Sequence, residues 1–199
     1  GFDLIISRTG YTGERVAYEV FPHPDDAVAL FKKLIELGAT PCGLASRDSL
    51  RIEAGLPLYG HELEGALNMT PADAGMQSYV KLYKPFFVGK AGFIARELKR
   101  DAQVSRFRMN NKGARPAHQG DPIVDSRGRV VGIVTSCSVD SDGNQLGQAY
   151  VKIGNRSIGN QLAVFAGSGR SKAKDLSNLS IGDKAPIPEP ITILRRFPK

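Results

Sequence analysis

Short alternating runs open the chain. Leu4-Ile5-Ile6 and Ala17-Tyr18-Glu19-Val20-Phe21 read as two strands, and the Gly-punctuated stretch Thr9-Gly10-Tyr11-Thr12-Gly13-Glu14 between them predicts a hairpin. Pro24-Asp25-Asp26 then supplies a helix start, with acids placed at the positive end of the dipole. Val28, Phe31, Leu34 and Ile35 recur at helical spacing until Gly38 ends the element. Cys42-Gly43-Leu44 leads into a second helix over roughly Ala45 to Ala54, stopped by Gly55. Thr70-Pro71-Ala72-Asp73 has the form of a helix N-cap, with Pro at the first helical position and an acid at the third. Tyr79-Val80-Lys81-Leu82 predicts a short strand, and Phe87-Val88-Gly89-Lys90 opens a last helix running to about Lys99.

Beyond residue 102 the helical period vanishes. Strand patterns take over at Val104–Arg108, Val130–Thr135, Leu146–Val151, Gln161–Phe165 and Ile191–Leu194, separated by Gly, Asn, Asp and Pro clusters. This texture predicts an all-β barrel or sandwich of about 95 residues. The fold class expected is therefore α+β over residues 1–102, followed by an all-β barrel domain over 103–199. Residues 167–190, rich in Ser, Lys, Gly and Pro, predict an unusually long exposed loop or insertion. No internal repeat is present.

Composition narrows the picture. The 199 residues suffice to bury a real core, and 41% hydrophobic with 24% charged is ordinary for a soluble globular chain. No apolar run approaches the roughly 20 residues of a membrane helix. The opening Gly1-Phe2-Asp3-Leu4 enters a strand pattern directly, so no signal peptide is expected, and the absent initiator Met points to a piece of a longer polypeptide. Cys42 and Cys137 are too few for a disulfide framework and lack metal-ligand spacing, as expected of reduced thiols in a cytosolic or mitochondrial-matrix protein. The net charge of +7 is uneven: residues 1–102 carry −1 and residues 103–199 carry +8. That asymmetry favours an acidic partner or an anionic ligand tail at the second half. Nucleic acid is disfavoured, because no Lys/Arg run with interleaved aromatics occurs.

Candidate chemistry concentrates in two places. The segment from Arg47 to Leu63 mixes charged side chains, Tyr59 and His61 with a hydrophobic frame and the breakers Gly55, Pro57 and Gly60. It predicts a short helix that stops abruptly and presents polar groups at a defined place. Arg47 either forms a structural ion pair with Asp48, Glu53 or Glu62, or offers its rigid fork to a ligand carboxylate or carbonyl. Tyr59 and His61 are open to turn packing or to binding. Glu19 shares a strand face with Ala17 and Phe21, so it is a solvated edge residue or a carboxylate with a partner. A heterocycle presenting two adjacent N–H groups would suit it. No phosphate-binding Gly loop, nucleophile elbow or metal-spaced His set is present.

Arg8-Thr9-Gly10-Tyr11-Thr12-Gly13-Glu14, Tyr18-Glu19, Cys42-Gly43-Leu44, the 47–63 segment, Thr70-Pro71-Ala72-Asp73-Ala74-Gly75 and Phe87-Val88-Gly89-Lys90 occur in that order. Together they closely resemble the glycine cleavage system T-protein family of aminomethyltransferases. Gly132-Ile133-Val134-Thr135-Ser136 and Gly147-Gln148-Ala149-Tyr150-Val151 resemble its C-terminal β-barrel. The resemblance implies residues 1–102 as part of a folate-binding domain and tetrahydrofolate as the cofactor. It implies a lipoylated H-protein as partner, whose aminomethyl group is transferred with release of ammonia. By the same resemblance Glu19 matches the glutamate that binds the pterin end of folate, and Arg47 a folate-binding arginine. The family's catalytic aspartate falls in an N-terminal portion that this chain does not contain, so the chain alone is expected to be inactive.

Three departures stand out: Glu14-Arg15-Val16-Ala17 where the family has a short acid-Gly pair, Cys137-Ser138-Val139-Asp140 where Gly and Ser-Pro are usual, and the 167–190 stretch. They leave two alternatives open: a folate-dependent methyltransferase or demethylase paralogue, or a non-catalytic folate-binding protein of the same superfamily.

Overall fold

The computed structural model describes residues 1–167 and 187–198. Strands β1 (Leu4–Ser7) and β2 (Glu19–Pro22) pair antiparallel as a two-stranded hairpin. A single 3-10 turn at Pro24–Asp26 leads into helix α1 (Ala27–Glu36), and α2 spans Leu44–Ala54. Helix α3 covers Lys90–Glu97. The remaining strands are β3 (Ala102–Met109), β4 (Pro122–Val124), β5 (Val130–Val139), β6 (Gln145–Lys152), β7 (Gln161–Val164) and β8 (Glu189–Leu194). They close an antiparallel barrel in the order β3-β6-β5-β4-β7-β8. Among the described residues no helix is long and apolar enough to cross a membrane.

The barrel holds the core. Phe107, Met109, Ile123, Val134, Ala149, Val151, Val164, Ile191 and Ile193 fill it, all fully or almost fully buried. Phe107 lies directly across from Gly147 in the β3–β6 register, and its ring occupies the space a side chain at 147 would need. Closure leaves no free sheet edge, so a single small core can specify the unit. On β3 both faces are covered. Phe107 and Met109 enter the barrel, while Val104 and Arg106 on the alternate face are also buried.

Burial over residues 1–50 is the opposite. Helix α1 has no buried residue, and Val28, Phe31, Leu34 and Ile35, the stripe that predicts the helix, are all exposed. Ile5, Ile6, Val20 and Phe21 of the hairpin are exposed too.

Three expectations need correction. Thr70 and Asp73 do form reciprocal capping bonds, Thr70 N to Asp73 Oδ2 (2.8 Å) and Asp73 N to Thr70 Oγ1 (3.3 Å). The chain makes only a turn there, because Gly75 (φ +77°) turns left-handed before a second turn can begin. Tyr79–Leu82 is no strand: it has no pairing partner among the described residues, and a 3-10 turn at Gln77–Tyr79 takes its start. Strand β4, only three residues long, was too short for its pattern to register. Of the 167–190 loop, most lies outside the described residues, and its end, Glu189–Pro190, belongs to β8.

Phe107→Ala is expected to lower the unfolding free energy by about 3–5 kcal/mol. Gly147→Ala is expected to cost about 1–3 kcal/mol by overpacking against the Phe107 ring. Urea denaturation followed by circular dichroism reads both.

Candidate functional site

Helix α2 is the element on which the site is built. Its last turn ends at Gly55 in the left-handed conformation (φ +77°), where Gly55 N donates to Ile52 O (3.0 Å) and Leu56 N to Arg51 O (2.7 Å). This paired closure stops the helix and turns the chain back along it. Arg196, beyond β8, locks the stop by donating from Nη1 to Gly55 O and from Nε to Ala74 O (3.0 Å). Burial pushes the Arg196 guanidinium down to about 10, which leaves it charged at neutral pH.

Arg51, one turn after Arg47, is 1% exposed and carries the densest set of bonds. Its Nε donates to Asp48 Oδ1 (2.6 Å), Nη1 to Glu62 Oε2 (3.0 Å) and Nη2 to Ser136 Oγ (3.0 Å). Glu62 is fully buried, and it also accepts from Leu58 N (3.0 Å) and from Ser136 Oγ (2.6 Å, to Oε1). Every charge is therefore matched and bonded, the condition under which a buried pair is tolerated. His61 Nδ1 lies 3.0 Å from Thr135 O, a pairing that needs the Nδ1–H tautomer. Gln148 Nε2 reaches Leu56 O (2.8 Å), and Ser49 and Ser138 share a hydroxyl bond (2.6 Å).

A β-bulge makes this possible. The β5–β6 register slips between Val134 and Ser136, so Thr135 is an extra residue. Its carbonyl serves His61, Ser136 reaches Arg51 and Glu62, and Cys137 packs against the barrel core. Burial pushes the Cys137 thiol up to about 11.

Arg51 is committed to structure, and Arg47 is not. Its side chain is exposed and has no hydrogen bond or ion pair among the described residues; its guanidinium carbon lies 4.7 Å from the centre of the Tyr11 ring. Such stacking fixes the plane of the guanidinium while its N–H edge stays open. The Tyr11 hydroxyl is pushed above its usual range, chiefly by burial and also by the Glu62 carboxylate, so it stays a neutral phenol. Two residues earlier on the same connection, the Thr9 hydroxyl donates to Glu19 Oε2. Glu19 is exposed at the start of β2, and its Oε1 has no partner among the described residues. The connection from β1 to β2 thus steadies both Glu19 and Arg47. What results is a carboxylate with a free acceptor and a planar cation with free donors, groups whose chemistry suits a polar ligand.

Of the two readings open for Arg47, the structural ion pair goes instead to Arg51. Arg51 lies three residues from Asp48 on the same helix face, but the contact to Glu62 that separates the two arginines spans the α2 stop. Tyr11 carried no side-chain signal beyond its place between two glycines. Tyr59 is 74% exposed, and His61 is engaged with the barrel. Among the described residues no His/Cys/Asp/Glu group could hold a metal ion.

Residues 1–84 match the GCVT N-terminal domain family. Aminomethyltransferase from Herpetosiphon aurantiacus is 40% identical over 164 residues, 80% of this chain and 44% of that protein. Aminomethyltransferase from Streptomyces avermitilis is 41% identical over 159 residues, 76% of this chain and 42% of that protein. The chain thus spans less than half the length of these relatives. The crystal structure of glycine cleavage system aminomethyltransferase T from Bartonella henselae is similar over 97% of this chain and 49% of that one, with a TM-score of 0.76 and 26% identity.

Glu62→Ala leaves the Arg51 charge buried without its partner and is expected to cost about 3–5 kcal/mol, read as a drop in melting temperature by scanning calorimetry. A thiol reagent at about pH 8 is expected to label Cys42 quickly and Cys137 much more slowly until denaturant is added, because a neutral, partly buried thiol reacts slowly. Mass spectrometry before and after adding denaturant separates the two.

Proposed function

The chain belongs to the T-protein family of aminomethyltransferases, and from that premise we propose that it forms the folate-holding part of a glycine cleavage aminomethyltransferase. The observation that carries the reading is the pairing of an uncommitted Arg47, stacked on Tyr11, with an exposed Glu19 held from the same connection. Tetrahydrofolate fits these donors and acceptors. Glu19 Oε1 is open to a pterin N–H, and the Arg47 edge is open to a carbonyl or carboxylate. When bound, tetrahydrofolate supplies the nitrogen that accepts the one-carbon unit. Within this chain Glu19 binds, Arg47 orients, and Tyr11 limits the planes Arg47 can adopt. None of the three is assigned the proton transfer that accompanies release of ammonia.

The same reading makes a lipoylated H-protein the donor partner, which the +8 of residues 103–199 suits if that partner is acidic. It divides the chain into a folate-binding portion over 1–102 and a barrel domain over 103–199, supported by the change from mixed elements to continuous β-structure at Ala102. The uncovered faces of α1 and the hairpin would pack against the part of the relatives' length that this chain does not span. A compartment holding reduced folate, the bacterial cytoplasm or the mitochondrial matrix, follows from the reading.

In the complete polypeptide that carries this sequence, Glu19→Ala and Arg47→Ala are each expected to weaken tetrahydrofolate binding by about 1–3 kcal/mol, the scale for a lost charged hydrogen bond. Tyr11→Phe keeps the ring under Arg47 and is expected to retain affinity, whereas Tyr11→Leu loses it. Calorimetric titration reads all four, and wild-type affinity in both Glu19→Ala and Arg47→Ala sinks the assignment. The 199-residue chain, incubated with H-protein and tetrahydrofolate, is expected to show no turnover.

A further inference from the structure

The seam between α3 and the barrel contains a cleft of about 250 Å³, lined by Leu67, Arg96, Lys99, Arg100, Asp101 and Tyr150. It shares no lining residue with the Glu19–Arg47 arrangement, so a ligand bound in it is independent of the folate reading. Three of the six lining side chains are cations, and Asp101 is the one acid.

Two of the three cations keep donors free. Arg96 is engaged by the protein: it donates from Nη2 to Leu67 O (3.3 Å), lies 3.5 Å from Asp73 through Nε and bonds the Tyr150 side chain. Arg100 donates from Nε (2.9 Å) and Nη2 (2.6 Å) to Glu97 Oε1, and its Nη1 is uncommitted. The Lys99 ammonium makes no hydrogen bond or ion pair among the described residues. Tyr150 is steadied by its own bond to Asp73 Oδ1 (3.1 Å).

A fourth cation approaches from the barrel. Arg156 donates from Nε to Ser105 Oγ (3.0 Å), and burial first, then the Arg100 charge, lowers its pKa. Cations near the C-terminal end of α3 suit the helix dipole. Arg156 is not a lining residue, but it lies near enough to feel the Arg100 charge. Asp73 and Glu97 each offset one arginine, whereas Lys99 and Arg156 have no carboxylate partner among the described residues, and an added anion would offset these two.

We propose that this cleft binds a phosphate group. Asp73 and Glu97 already offset Arg96 and Arg100, so the donors left for phosphate oxygens are the Lys99 ammonium and the uncommitted Nη1 edge of Arg100, with Arg156 adding charge nearby. The volume lies below the roughly 300–1,000 Å³ of sites that enclose drug-sized molecules. The ligand is therefore compact: inorganic phosphate, or the terminal phosphate of a small monoester.

The test is calorimetric titration of the 199-residue chain at constant ionic strength with inorganic phosphate, glycerol phosphate and acetate in separate arms. Saturable binding of one phosphate per chain is expected, weakened at least tenfold in Lys99→Ala and in Arg100→Gln and unchanged in Lys33→Ala on α1. Tighter binding of glycerol phosphate than of inorganic phosphate assigns a monoester, and the reverse order assigns the free ion. Phosphate binding no stronger than acetate overturns the proposal, as does binding that Lys99→Ala leaves intact. The Lys99 side chain is exposed and unbonded, so its replacement leaves the fold undisturbed and a negative result cannot be charged to misfolding.

Discussion

The buried ion pair between Arg51 and Glu62 is the contact on which the arrangement of the rest depends. Arg51 comes from helix α2, Glu62 from the turn that follows it, and Ser136, bonded to both, from barrel strand β5. Three pieces of chain are thereby fixed to one another. Placing two charges out of water is unfavourable in itself, and mutual attraction offsets that cost only where the other donors and acceptors are also bonded. Here Asp48, Leu58 N and Ser136 meet that requirement. The pair's contribution is geometric more than energetic. A less directional apolar contact would hold α2 against the barrel, but it would not fix the rotation of the helix about its own axis.

That rotation decides which arginine meets solvent. Arg47 and Arg51 are four residues apart and lie along one side of α2. Once Arg51 is inserted between Glu62 and Ser136, Arg47 emerges one turn earlier, over the Tyr11 ring. The two arginines divide the work. One spends nearly all its donors inside the protein, and the other spends none among the described residues. The β-bulge at Thr135 belongs to the same device, since without the extra residue the parity of β5 would turn Ser136 into the barrel and leave Arg51 short of an acceptor.

Much of this was legible in the sequence, and the misses share a physical cause. Periodicity located α1, α2, α3 and the five longer barrel strands, because each buries or presents a face with its own repeat. It failed at Thr70–Gly75, where the local capping bonds form as the residues dictate but a left-handed glycine ends the turn. It failed again at Tyr79–Leu82, where strand-forming residues have no neighbouring strand, since a strand exists only through its partner. Glu19 and Arg47 are candidates in the sequence by their chemistry and by resemblance to a family. That Arg51 rather than Arg47 takes the structural ion pair was not legible, because it turns on which of two arginines reaches Glu62. That contact spans the α2 stop and depends on the angle at Gly55.

The distribution of burial sets how the site must behave. The barrel carries its own core, sealed by closure, whereas α1 and the hairpin have no fully buried residue and leave most of their apolar faces exposed. A two-stranded hairpin alone is marginal in water, so the order of the β1–β2 connection has to come from elsewhere. Two routes are visible: the Tyr11 ring against Arg47, and the close approach of Gly13 to Ala54 at the end of α2. Both pass through α2, and α2 is held by Arg51, Glu62 and the barrel. The rigidity of Arg47 thus originates in the barrel, whereas Glu19, on the far strand of the hairpin, receives it only through the Thr9 hydroxyl and the strand pairing. Of the two groups, Arg47 is tied to the barrel through α2, while the Glu19 carboxylate is held only by the hairpin and one hydroxyl.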